Sequence, residues 1–122
     1  MRKCLLILFF AFAAAGASAA QIDTVAVFSA KMQREIPVLV VVPDAGVGRR
    51  MPVLYLLHGF GGSYTTWQNI TDLRPLADAC GMIVVCPDGA NSWYWDSPLD
   101  PASQFETFVA QELPDWIDAR YL

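Results

Sequence analysis

Two short segments hold most of the residues that could do chemistry. The first is His58-Gly59-Phe60-Gly61-Gly62, directly after the apolar run Pro52 to Leu57. Three glycines in four positions let the backbone turn sharply and present its N–H groups to a ligand. Converging amides after a strand suit an anion, or the oxyanion that develops when a carbonyl is attacked. A phosphate loop would need G-x-x-x-x-G-K-[ST] or G-x-G-x-x-G, and neither spacing occurs. A tight turn without a ligand is the plain alternative. The second segment is Trp93-Tyr94-Trp95-Asp96. With the isolated Trp67 it could form a platform for an aromatic acyl group or a sugar, or its rings could simply pack the loop on a sheet.

Attack on a carbonyl also needs a nucleophile. Gly61-Gly62-Ser63-Tyr64-Thr65 comes nearest to G-x-S-x-G, but it lacks the final glycine and a strand directly before it. Ser29, Ser92, Ser97 and Ser103 fit no better. The lone His58 and the absence of C-x-x-C leave zinc without ligands, and nothing implies an organic cofactor.

The elements that must position these segments follow from periodicity. Thr24 to Phe28 and Arg34 to Val42 have strand composition, and the short link Ser29 to Gln33 predicts an antiparallel hairpin. Pro37 places the start of the second strand at an edge or bulge. Asp44 to Gly48 is a turn. Pro52 to Leu57 and Met82 to Cys86 are unbroken apolar runs, as expected of strands covered on both faces. Between them a short helical stretch precedes a helix with Asp72 as N-cap and Leu73, Leu76, Ala77 and Cys80 on one face. Gly81 then stands where a helix end wants positive φ.

Cys80 and Cys86 lie at opposite ends of a strand, too far apart for a disulfide, which predicts two buried thiols. Pro87 to Ala102 is a long irregular stretch, and Ser103-Gln104-Phe105-Glu106 reads as a capping box. The helix it opens carries the stripe Phe105, Phe108, Val109, Leu113, Trp116 and Ile117, and Pro114 should kink it. The order β-β-β-α-β-loop-α predicts an α/β protein: a hairpin leading into a parallel, helix-covered sheet. Ligands on such sheets collect at the carboxyl ends of strands, where both unusual segments fall.

Leu56 to Gly62, then Trp67, then Ile83 to Gly89, then Asn91-Ser92-Trp93-Tyr94 resemble, in order and spacing, the esterase D family of α/β-hydrolases. That family includes S-formylglutathione hydrolases, feruloyl and acetylxylan esterases, and mycolyl-transferring antigens. Phe105 to Tyr121 resembles the helix ahead of that family's nucleophile strand, and the likeness runs from about Val25 to the last residue.

The resemblance implies the three-layer α/β-hydrolase fold, here its N-terminal half, stopping before the nucleophile elbow. It makes the main-chain amide of Phe60 an oxyanion-hole donor, with Gly59, Gly61 and Gly62 keeping its approach open. The triad order Ser, acid, His gives His58 a role in holding the loop rather than as the base. Trp67, Trp93 and Tyr94 fall on the substrate side. The complete protein is then expected to be a serine carboxyl-ester hydrolase acting through an acyl-enzyme, without metal or organic cofactor, on a small or polysaccharide-linked ester. A non-catalytic carbohydrate-binding or scaffold module on the same fold is the rival.

The N-terminus bears on where it acts. Arg2 and Lys3 precede the apolar run Leu5 to Phe12, which ends in Ala17-Ser18-Ala19-Ala20. That pattern reads as a secretory signal peptide over residues 1–20, cut after Ala19 or Ala20, rather than a retained membrane anchor. Residues 21–122 are then a secreted or periplasmic domain, off the membrane once cut. The formal charge is −4 before Arg2 and Lys3 are lost. An acidic chain without a basic cluster is a poor nucleic-acid binder.

In the family's sheet order Val53 to Leu57 adjoins the nucleophile strand, so these residues alone present an apolar edge. Residues 21–122 expressed on their own are therefore expected to be poorly soluble and to hydrolyse no ester. A monomeric, cooperatively melting preparation would overturn that expectation.

Overall fold

The computed structural model describes residues 19–44 and 50–121; residues 1–18, 45–49 and 122 lie outside the described residues, and with them the expected turn at Asp44 to Gly48 and the expected leader. β1 (Gln21–Ser29) and β2 (Arg34–Val42) form the expected hairpin, with Gln21 opposite Val42 and Ser29 opposite Arg34. β2 pairs antiparallel with β4 (Ile83–Pro87), and β4 pairs parallel with β3 (Val53–Tyr55). The sheet order is thus β1-β2-β4-β3, mixed rather than parallel.

Strand alternation sorts the core into two layers. Val38, Val40, Ile83 and Val85 face one side and pack on Phe105, Phe108, Leu113 and Ile117. Leu39, Val41, Val84 and Cys86 face the other and pack on Leu73 and Ala77. Helices therefore cover both faces of the sheet. β4 is buried on both sides as its apolar run predicts, and so is most of β2. β3 is shorter than Pro52 to Leu57 and only half-buried, because among the described residues no strand lies along its outer edge.

Pro37 pairs with Ala26 of β1 on one side and, as expected, lies at the sheet's edge on the other. Its ladder to β4 begins one residue later, at Val38 opposite Pro87. Asp88 N–H still donates to the Pro37 carbonyl at 3.0 Å, and proline removes only the reciprocal bond at the point where β4 stops.

The helices depart from their predicted caps. After α1 (Thr66–Ile70), α2 spans Arg74–Cys80, and Asp72 is not its N-cap; Leu73 is. Asp72 instead accepts the Arg74 N–H at 3.1 Å and grips the Arg74 guanidinium at 2.8 Å. Leu73 and Ala77 reach the core but Leu76 and Cys80 are exposed. The expectation of two buried thiols is corrected accordingly. Both are free: Cys80 is exposed, whereas Cys86 is buried and burial raises its pKa to about 11. Gly81 closes α2 at φ 62°, as predicted.

The last helix, α3, runs through an α-turn (Phe105–Thr107), a π-turn (Phe108–Glu112) and an α-helical segment (Leu113–Tyr121). Its predicted capping box does not form: Gln104 is the N-cap and no side chain of Ser103–Glu106 closes it. A carboxylate from earlier in the chain does the work, since Asp96 accepts the Thr107 N–H at 3.0 Å and the Thr107 hydroxyl at 2.6 Å. Pro114 does not break the helix. The wide turn comes just ahead of it, with Leu113 N–H donating to the Phe108 carbonyl. Glu112 then reaches back to the hairpin, accepting from Ser29 Oγ at 2.6 Å and Lys31 N–H at 3.2 Å.

Asp96 also holds Lys31 Nζ at 3.0 Å. Hydrogen bonds from the Thr107 hydroxyl and amide, then Lys31, lower its pKa from 3.8 to about 2. A depressed carboxyl stabilises the fold fully above its unfolded value and loses that contribution as pH falls through the folded one. Asp96→Asn is therefore expected to lower Tm at neutral pH, with the gap to wild type closing as pH drops from 3.8 toward 2. A gap that stays constant over that range counts against the role.

Candidate active site

β3 and β4 run parallel side by side, so the loops leaving their carboxyl ends are neighbours. His58 joins them. Its ring is buried, Nε2 accepts the Gly89 N–H at 2.9 Å, and Nδ1 lies 2.6 Å from the Gly59 carbonyl. A nitrogen that accepts carries no proton, so the hydrogen is on Nδ1 and donates to Gly59. Asp88 Oδ1 stays 4.0 Å from Nε2 and accepts the Ala90 N–H instead. Both imidazole nitrogens are thus occupied by main chain. The ring holds the loop, and it has no nitrogen left to serve as a base for a serine.

Two more side chains cross between the loops. Tyr94 Oη donates to the His58 carbonyl at 2.7 Å, and its ring meets the imidazole edge-on at 5.8 Å. Burial raises the pKa of that phenol, which keeps its donor proton in place. Asn91 Oδ1 accepts the Gly61 N–H at 2.8 Å. Neither the Gly59 nor the Phe60 amide donates to any atom among the described residues.

The glycines serve distinct ends. Gly61 adopts φ +81°, a conformation that side chains resist. A Cβ on Gly62 would meet Thr66 Oγ1 at 2.8 Å and His58 Nδ1 at 3.0 Å. A Cβ on Gly89 would lie 2.2 Å from Tyr94 Cε1. The facing loop is itself strained: Ala90, Trp93 and Tyr94 have φ of 48°, 56° and 55°. Buried Ser92 holds this turn, donating to the Gly89 carbonyl and accepting the Tyr94 N–H at 3.1 Å. Clustered left-handed residues of this kind are characteristic of functional loops.

A cleft of about 130 Å³ opens between the loops, lined by His58, Gly59, Phe60, Asn91, Trp93 and Tyr94. Small-molecule sites usually run to ~300–1,000 Å³, so this cleft alone is smaller than such a site. The Phe60 and Trp93 rings stack at 5.5 Å on its rim, and they are 70% and 76% exposed. Gly61 and Gly62 shape the loop behind. Trp67 is not brought to the cleft: it packs on the α2 layer and its Nε1–H donates to the Leu57 carbonyl at 3.1 Å. Ser63 is a turn former, with its Oγ 2.9 Å from Thr65 Oγ1 and accepting the Thr65 N–H. Asn91 is the addition that residue types did not single out, although it opens the Asn91-Ser92-Trp93-Tyr94 segment.

The Esterase family model matches residues 29–122. The MPT51/MPB51 antigen of Mycobacterium tuberculosis is 33% identical over 90 residues, covering 64% of this chain and 30% of that protein. Esterase Rv1288 of the same organism is 33% identical over 79 residues, or 61% of this chain and 17% of that one. An S-formylglutathione hydrolase from Agrobacterium tumefaciens superimposes with a TM-score of 0.78 at 22% identity, over 86% of this chain and 46% of that one. The fold they share is that of the α/β-hydrolases. The chain spans less than half the length of each of these three proteins.

The two loops can be unclamped at different strengths. Tyr94→Phe removes one hydrogen bond and is expected to cost about 0.5–1.5 kcal/mol. Gly89→Ala drives a methyl into the same ring and is expected to cost more, about 1–3 kcal/mol. Urea unfolding of the full-length protein measures both, and a Gly89→Ala variant as stable as wild type would contradict the packing.

Proposed function

Because the chain belongs to the Esterase family, we propose that the complete protein is a secreted serine carboxyl-ester hydrolase that works through an acyl-enzyme. The observation that carries this reading is the pair of consecutive amides, Gly59 and Phe60, left undonated on a loop that His58, Asn91 and Tyr94 hold rigid beside a cleft. Fixed main-chain donors stabilise the charge that develops on a carbonyl oxygen under attack, and they need no reorganisation at that moment. The Phe60 amide acts with that of the residue following an elbow serine beyond this chain. The serine attacks the ester carbonyl, the alcohol leaves, and water then releases the acid. The mechanism draws on no metal or organic cofactor. An N-terminal leader, cut after Ala19 or Ala20, directs export, which suits acetyl or feruloyl esters on polysaccharide better than a cytosolic glutathione thioester.

A sugar-binding module without catalysis has one feature in its favour, the exposed Phe60–Trp93 stack. Hydrolysis of a short-chain aryl ester by the complete protein decides between the two. Replacing the elbow serine should abolish it, and activity surviving that change sinks the mechanism. Within the present chain, Phe60→Ala keeps the donor and should leave kcat nearly unchanged. Phe60→Pro removes the N–H and should lower kcat by about 10²–10³-fold while Tm is retained.

A further inference from the structure

β1 begins at Gln21, yet the packing begins one residue earlier. Ala20 is only 6% exposed and belongs to the cluster of Leu39, Leu73 and Ala77 on the α2 face. Its N–H donates to Asp78 Oδ2 at 3.1 Å, and the N–H of exposed Ala19 donates to the same oxygen at 3.0 Å. The other oxygen of Asp78 lies 3.4 Å from the Asp44 N–H. A half-buried carboxylate on α2 thus collects main chain from the start of the first strand.

On the reading that residues ahead of the domain are an export leader, we propose that the leader is removed between Ala19 and Ala20, and that the α-ammonium of Ala20 so created docks on the Asp78 carboxylate. The cut adds water across one peptide bond, catalysed by the leader peptidase of the exporting host. Ala19 departs as a carboxylate, and the Ala20 nitrogen takes up protons to become an ammonium. Small residues stand at Ala17 and Ala19, the positions such a peptidase reads. Before the cut two neutral amides share one carboxylate oxygen. Afterwards one cation with three donors sits at that place, and the attraction of opposite charges is added to the hydrogen bonding the carboxylate already had. A cut after Ala20 would strip a buried methyl from the core. It would also carry the charge one residue along the strand, roughly 3.4 Å from where Asp78 receives it.

N-terminal sequencing of full-length protein, exported with its own leader from a bacterial host, tests the cut. Ala20 is the expected first residue. A mature chain starting at Ala19 or Gln21 overturns the proposal and leaves the leader reading standing, whereas exported protein still starting at Met1 overturns both. For the ion pair, Asp78→Asn is compared in the mature protein and in a matched chain with a neutral Gly-Ser-Gly extension ahead of Ala20. The other contacts of Asp78 are common to both chains and cancel. The substitution is expected to lower Tm by about 2–4 °C in the mature protein and by less than half of that in the extended one. Equal losses in the two chains, or no loss in the mature one, overturn the ion pair.

Discussion

A neutral imidazole with both nitrogens spoken for is the constraint on which the site depends. His58 leaves the end of β3, takes the Gly89 N–H from the loop after β4, and returns its own hydrogen to the next carbonyl. The exchange works in one tautomer only. It fixes the distance between two strand ends whose loops would otherwise be independent, and Tyr94 and Asn91 add the remaining braces. Gly89 and Gly62 are small because those braces pass so close to them. The amides of Gly59 and Phe60 are rigid as a by-product of bonds made by their neighbours.

A second set of bonds ties the opposite corner together. Lys31, in the tight turn of the first hairpin, meets Asp96 from the aromatic loop, while Ser29 and the Lys31 amide meet Glu112 on α3. Three segments distant in sequence are thereby held on the layer that carries Phe105 and Phe108. The strained Ala90–Tyr94 turn lies between this corner and the His58 bracket, anchored at both ends, so its left-handed residues are held from outside.

Legibility in the sequence followed the range of the forces involved. β-Branching in Arg34 to Val42 and the apolar run Met82 to Cys86 placed two strands correctly, because strand composition is a property of the segment itself. The apolar stripe of the last helix was legible from its spacing, and Gly81 because a helix end at φ 62° favours glycine. Caps were not. Ser103 and Glu106 satisfy the local rule, but Asp96 arrives through tertiary folding and takes the position at Thr107. Cys80 was misplaced because helical spacing does not say how far along α2 the packing extends; it ends at Ala77, and Leu76 and Cys80 face solvent. His58, Phe60, Trp93 and Tyr94, singled out by type and spacing, line one cleft. Asn91 acts through a side-chain oxygen whose partner lies thirty residues away, and Trp67 is drawn to the Leu57 carbonyl behind the sheet.

The wide turn in α3 bears on how this chain can vary in length. Phe108 and Leu113 stand five positions apart, which on an ordinary α-helix would point them about 140° away from each other. The π-turn lets both face the core, fully buried. Such a turn is an α-helix holding one residue more than its pitch requires. Its two ends keep their register on the sheet whether or not the surplus residue is present. The stretch of exposed Ala110 and Gln111 is therefore the one place in the helix where a single residue could be gained or lost over time without turning Leu113 and Ile117 out of the core.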